Sequence, residues 1–261
     1  MRFKINLSRI SRGKFIPINY QYELSSVIYK IINNSDSDFA KFLHETGYSV
    51  KGNSFKLFTF SQIKFDKSKV YTSEQRIEHQ GEFAYFFISF LVDKAAEEFV
   101  KGLFIYQKIS IGDKISRVDF EVVGIEGCTP PVFQERMNYR CISPLLIKQK
   151  RADGGENYLE PEHALYKEIL IQNLCNKALA FALTIEHKFL TESIPACELV
   201  VNGKIYKKGI RIKQHTQMAS HLIGYMFEFE LTAPLELHEI GFYAGFGHLG
   251  SQGFGCVEVK D

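Results

Sequence analysis

The sequence lacks any paired-cysteine motif: Cys128, Cys141, Cys175, Cys197 and Cys256 are scattered with no C-x-x-C among them. An odd, unpatterned set argues against a zinc site and a disulfide framework, and fits reduced thiols used as small core residues in a cytoplasm. Long apolar runs are also lacking. The longest, residues 84–92, falls well short of the length that crosses a bilayer, and the opening MRFKINL alternates charged and apolar side chains instead of forming a signal-peptide core. A soluble, cytoplasmic chain without membrane contact is expected. Charge of one sign is not in excess either: the formal net charge is +2 over 261 residues, with 45% hydrophobic and 24% charged. Nothing global announces a polyanion binder. A cofactor fingerprint is missing in substance, although residues 245–250 spell G-x-G-x-x-G. Only eleven residues follow Gly250, too few for the crossover helix and second strand that this motif needs.

Locally the charge is less even. The first 22 residues carry Arg2, Lys4, Arg9, Arg12 and Lys14 and no acid; residues 199–227 carry Lys204, Lys207, Lys208, Arg211 and Lys213 and again no acid. Two acid-free basic stretches can give a nearly neutral protein a positive surface able to hold a polyanion. Because a strand alternates faces, only some of the second five can point one way.

One order of elements is read twice along the chain. Phe3, Ile5 and Leu7 alternate as a strand; Leu24, Val27, Ile28, Ile31 and Ile32 recur at helical spacing, followed by the turn NNSDSD and a short helix from Asp38. FKLFTFSQIKF and EFAYFFISF read as aromatic-rich strands, DKAAEEFVKGLF as a helix, and residues 109–123 as further strand. GIEGCTPP then breaks the periodicity. Beyond it, RCISPLLI reads as a strand and residues 161–183 as a long helix. Two strands (the second LIGYMFEFEL), a helix from Pro234 and a terminal strand GCVEVK follow. Each half gives β-α-β-β-α-β. The expected fold is α+β, two tandem ferredoxin-like domains over residues 1–125 and 126–261. A glycine-rich loop, GFGHLGSQGFG, lies in the last connection. Two such domains side by side leave a cleft and open sheet faces, a surface used by RNA-binding modules.

Helix phase locates the candidate chemistry. Counting 100° per residue from Leu24, Tyr29 points about 140° from the apolar stripe of its helix. On the next helix, with Phe39, Phe42 and Leu43 as its stripe, His44 turns away by a similar angle. Lys56 could join them from the following strand, although its parity with Phe58 and Phe60 is ambiguous. Tyrosine, histidine and lysine without a carboxylate cluster do not make a metal-hydrolase set. They suit metal-independent RNA cleavage, in which a base takes the 2′-hydroxyl proton, an acid protonates the leaving 5′-oxygen and a cation meets the charge on the phosphate.

MRFKINL, Tyr29 in VIYKII, His44 in FLHETGY, Lys56 in KLFTFS and the terminal GFGHLGSQGFGCVEV together resemble the CRISPR-associated (Cas) endoribonuclease family six. The resemblance spans both ends of the chain and matches the middle in topology. It implies two ferredoxin-like domains, cleavage of CRISPR repeat RNA to 2′,3′-cyclic phosphate and 5′-hydroxyl ends, no cofactor or metal, and catalytic roles for Tyr29, His44 and Lys56. It leaves open which of Tyr29 and His44 is the base. It also implies that the glycine-rich loop (Gly245, Gly247, His248, Gly250, Gly253, Gly255) lies against RNA, where bare backbone N–H groups can approach phosphates. Phe246 and Phe254 within that loop are expected in the core. The alternative is a non-cleaving RNA-binding subunit of a CRISPR effector complex. Other Cas proteins are then further partners, and the aromatic-rich strands admit a homodimer. A small-molecule enzyme would need an acid cluster or cofactor motif, and the sequence shows neither.

Overall fold

A computed structural model describes residues 1–184, 195–212 and 219–260. The first half is built from β1 (Arg2–Arg9), α1 (Gln21–Ser35), α2 (Ser37–Glu45), β2 (Phe58–Phe60), β3 (Phe83–Phe90), α3 (Asp93–Ile105), β4 (Lys108–Gly112) and β5 (Arg117–Gly127). Its sheet runs β4-β5-β1-β3-β2, with antiparallel neighbours throughout. Ile5, Leu7, Phe86, Ile88 and Phe120 bury one face of this sheet in a common core with Leu24, Ile28, Ile32 and Phe99 of the helices.

The second half contributes β6 (Arg136–Cys141), α4 (Tyr166–Ala182), β7 (Glu198–Ile212), β8 (Ser220–Thr232), α5 (Leu235–Ala244) and β9 (Val257–Val259). Its sheet order is β7-β8-β6-β9. Apart from the extra edge strand β4, both orders place the first and third strands of a β-α-β-β-α-β unit at the centre and the second and fourth outside. The ferredoxin-like topology thus occurs twice, as the alternating strands and periodic helices predict. No helix among the described residues is long and apolar enough to cross a membrane, and all five cysteines are free.

Five local expectations change. The strand read over RCISPLLI lies earlier, as β6, and shares only Arg140 and Cys141 with that stretch. NNSDSD is not a turn: α1 continues through Ser35, and only Asp36 separates it from α2, its carboxylate capping that helix by accepting from the Phe39 N–H at 2.8 Å. The strand read over FKLFTFSQIKF is broken, because Leu57 has φ of 54° and reverses the alternation just after Lys56. GIEGCTPP does not end the pairing at once. A bulge opposite Asn6 and Leu7 absorbs the irregularity and β5 runs on to Gly127. The long helix starts at Tyr166 rather than Pro161, since residues 161–165 form turns closed by His163 N–H to Glu160 and Tyr166 N–H to His163.

The two halves meet through buried polar groups as well as apolar ones. The Arg2 guanidinium, 7% exposed, donates to Ser89 Oγ at 2.7 Å, to the carbonyl of Val257 at 2.8 Å and to that of Phe242 at 2.9 Å. It also lies 3.5 Å over the Phe242 ring. Arg2 is therefore part of the joint and not of a basic surface. Thr59 Oγ1 donates to the Phe254 carbonyl at 2.8 Å and Ser25 Oγ to the Ser251 carbonyl at 2.7 Å, tying the glycine-rich loop to β2 and α1.

Candidate active site

The glycine-rich loop fills the joint. Gly245, Gly247, Gly253 and Gly255 all have positive φ, which an L side chain rarely adopts. A Cβ on Gly255 would stand 1.9 Å from the Phe246 carbonyl oxygen, one on Gly247 2.6 Å from that of Leu146, and one on Gly253 2.6 Å from the Phe60 ring. These glycines are buried against protein backbone and rings; the partly open stretch of the loop is residues 248–252. Phe246 and Phe254 are fully buried, as expected of core residues; Phe246 packs on Tyr139 and Phe229.

Residues 248–252 form one wall of a cleft of about 510 Å³ between the halves. The opposite walls come from residues 52–58, from Lys148 and Lys150, and from the polar face of α4. Lys56, Lys148, Lys150, Lys177 and His248 line it, and among the described residues no carboxylate does. Two of these lysines are already engaged: Lys148 Nζ pairs with Glu156 at 2.6 Å, and Lys177 is held by main-chain carbonyls. Burial, with Lys177 and Lys148 nearby, pushes His248 down to about 4, so its imidazole is neutral near pH 7.

Of the three predicted catalytic side chains, Lys56 lines this cleft, Tyr29 borders it through Phe58 and Ser251, and His44 lies against Tyr29. The Tyr29 and His44 rings meet edge to face with centroids 5.1 Å apart, and Tyr29 makes a similar contact with Phe58 at 5.7 Å. Burial pushes the Tyr29 phenol up to about 12, opposed by its hydrogen bond with the Ser251 side chain. His44 is exposed on α2. Lys56 reaches across the end of that helix: a Cβ on Gly47 would stand 3.0 Å from its Nζ, and partial burial lowers the pKa of the amine. Phase analysis places His44 correctly. It misplaces Tyr29, which is half-buried because the glycine-rich loop covers that side of α1. It also misplaces Phe42, which is 38% exposed against Tyr48. Gln21, Ser25 and Tyr29, spaced four apart, form a polar stripe on α1. Gln21 and Ser25 are buried, Ser25 and Tyr29 bond to Ser251, and Gln21 lies beside Gly253.

The basic stretch does not converge on this cleft. Lys204, Lys207, Lys208 and Arg211 are all exposed on β7, and Lys213 lies outside the described residues. Lys208 lines a second cleft of about 350 Å³ that shares no lining residue with the first, Lys207 lies 3.9 Å from Glu160, and Arg211 pairs in register with His221.

Sequence reasoning missed Lys177. This α4 lysine is 4% exposed and donates to the carbonyls of Gly245, Gly247 and Ala244 at 2.5, 2.7 and 3.3 Å. It holds the end of α5 and the start of the loop without any carboxylate partner, and burial pushes its pKa down to about 7. Its signal was a lysine in the run LCNKALAFA, apolar apart from Asn176.

Comparison with known proteins agrees with the fold. Residues 15–126 match the family described as CRISPR-associated protein Cas6, N-terminal, and residues 128–259 match CRISPR associated protein Cas6, C-terminal. The CRISPR-associated endoribonuclease Cas6 1 of Methanocaldococcus jannaschii is 29% identical over 100% of this chain and 94% of its own length. The CRISPR-associated endoribonuclease Cas6 of Pyrococcus furiosus is 28% identical over 100% and 90%. A solved structure of a Cas6-related protein from Pyrococcus furiosus superposes with a TM-score of 0.82 at 22% identity, covering 100% of this chain and 98% of that one.

Proposed function

Since the chain belongs to the Cas6 family of CRISPR-associated proteins, we propose that it is an endoribonuclease that cuts CRISPR repeat RNA by attack of a 2′-hydroxyl on the adjacent phosphate. The observation that carries this reading is the meeting of Tyr29 and His44 in ring contact, with Lys56 at the end of the helix that carries His44 and in the wall of a cleft lined by lysines. An RNA strand held in that cleft has its phosphates beside Lys56, Lys148 and Lys150. A phenol kept protonated can donate toward the scissile phosphate or the leaving oxygen, while the exposed His44 imidazole can take the 2′ proton. Lys56 meets the developing negative charge. This reading assigns the chemistry to these three groups. In this reading the first unit, residues 1–125, carries the trio, and the second, residues 126–261, supplies the loop that closes the site. Lys204, Lys207, Lys208 and Arg211 would hold RNA outside the first cleft, with Lys208 in the second.

The test is a repeat RNA with one 2′-deoxy nucleotide just upstream of the cut, assayed in excess EDTA. The unmodified RNA should be cut, leaving 2′,3′-cyclic phosphate and 5′-hydroxyl ends, and the deoxy RNA should remain whole. His44→Ala should slow cutting by roughly 10²- to 10⁴-fold, with RNA affinity little changed. Cleavage of the deoxy substrate, or parental rates from His44→Ala, would refute the mechanism.

A further inference from the structure

Along the α4 wall of the cleft, nearly every polar group is accounted for. When protonated, Lys177 has three N–H donors and spends them on three carbonyls. Gln172 donates to Asn176 Oδ1 at 3.1 Å. Two acceptors are left over. Asn173 is 6% exposed and its Oδ1 has no hydrogen-bond partner among the described residues; Gln252 Oε1, on the facing loop, is likewise buried and unpartnered. Both residues line the cleft. A buried carbonyl left unpaired is costly, so such groups usually mark where something else binds.

The rest of the lining says what that is. Phe55 and Leu249 offer apolar surface on which a flat ring can lie, and Lys148 and Lys150 stand where an attached phosphate chain would run. Two orphan acceptors need N–H donors from that ring. Adenine and cytosine each present an exocyclic amine on the base-pairing edge; uracil presents carbonyls at both flanks of its single N–H. We propose that Asn173 and Gln252 form a nucleobase subsite that accepts hydrogen bonds from an amino-bearing base and so disfavours uracil at one position of the bound RNA. This rests on the reading of the chain as an RNA-cutting enzyme for the identity of the ligand, and adds to it a sequence preference.

Short fluorescently labelled oligo(A), oligo(C) and oligo(U) RNAs test it by anisotropy with the full chain. The parent should bind oligo(A) and oligo(C) about tenfold more tightly than oligo(U), one hydrogen bond's worth of discrimination. Asn173→Leu should bring the three within about twofold while leaving the salt dependence of binding unchanged, because phosphate contacts are untouched. It should also keep the parent's melting temperature, since it removes an unpaired buried carbonyl. Gln252→Met, at a partly open position, should reduce the same preference and guards against a folding defect in the first variant. Equal binding of all three RNAs by the parent, or a preference that survives both substitutions, overturns the subsite while the cleavage reading stands. Failure to bind any of them overturns the subsite, while the cleavage reading stands or falls on the repeat-RNA assay.

Discussion

Burial pushes the Tyr29 phenol up to about 12, so near neutral pH it acts through its proton and not as a phenolate. Tyr29→Phe tests that role cleanly: the ring keeps its edge contacts with His44 and Phe58 and loses only the hydroxyl. Single-turnover cleavage should fall by about 10²-fold, with RNA affinity within a few-fold of the parent; an unchanged rate would reduce Tyr29 to packing. The same residue shows how far side-chain roles can be read from sequence. A helix phase angle is measured against the core that the helix itself builds, and for His44 that core was the whole story. Tyr29 faces away from it too, yet a loop some 220 residues later in the chain folds over it. Lys177 was hidden for the opposite reason. Lysine is expected in solvent, and the convergence of three carbonyls at the end of α5 and the start of the loop explains why this one is inside.

At the scale of elements, both β-α-β-β-α-β units were legible because strand alternation and helix period are local signals. What failed were the joins, where one capping carboxylate or one left-handed residue decides the outcome, as at Asp36 and Leu57. The bond between α4 and the end of α5 has a measurable signature. Burial moves the Lys177 amine from an ordinary 10.5 to about 7. Between those values the unfolded chain holds a proton that the folded chain has shed, so this group's contribution to stability improves as pH rises through that window and is poorest below pH 7. Denaturant titrations should therefore show the parent gaining stability relative to Lys177→Met between pH 7 and 9. A difference that does not vary with pH would mean that the amine keeps its proton throughout.

For the whole molecule, the joint matters more than either half, since the cleft exists only while the halves stay in register. Arg2→Ala removes three hydrogen bonds from a buried cation and its packing on Phe242. The expected loss is about 3 kcal/mol in chemical denaturation, and a loss below about 1 kcal/mol would show that these bonds add nothing net. Cleavage should fall further than the unfolded fraction accounts for, because misaligned halves separate Tyr29 from Ser251. Arg2 also sets a timetable. The Phe242 carbonyl it needs lies 240 residues further along the chain, and a ribosome adding about 5–20 residues per second reaches it only after some tens of seconds. Throughout that interval the nascent first half carries a guanidinium poised for burial with its distal acceptors not yet made. The Arg2 end of its earliest strand thus stays open to water, or to a chaperone, until the last helix and the strand after it have been translated.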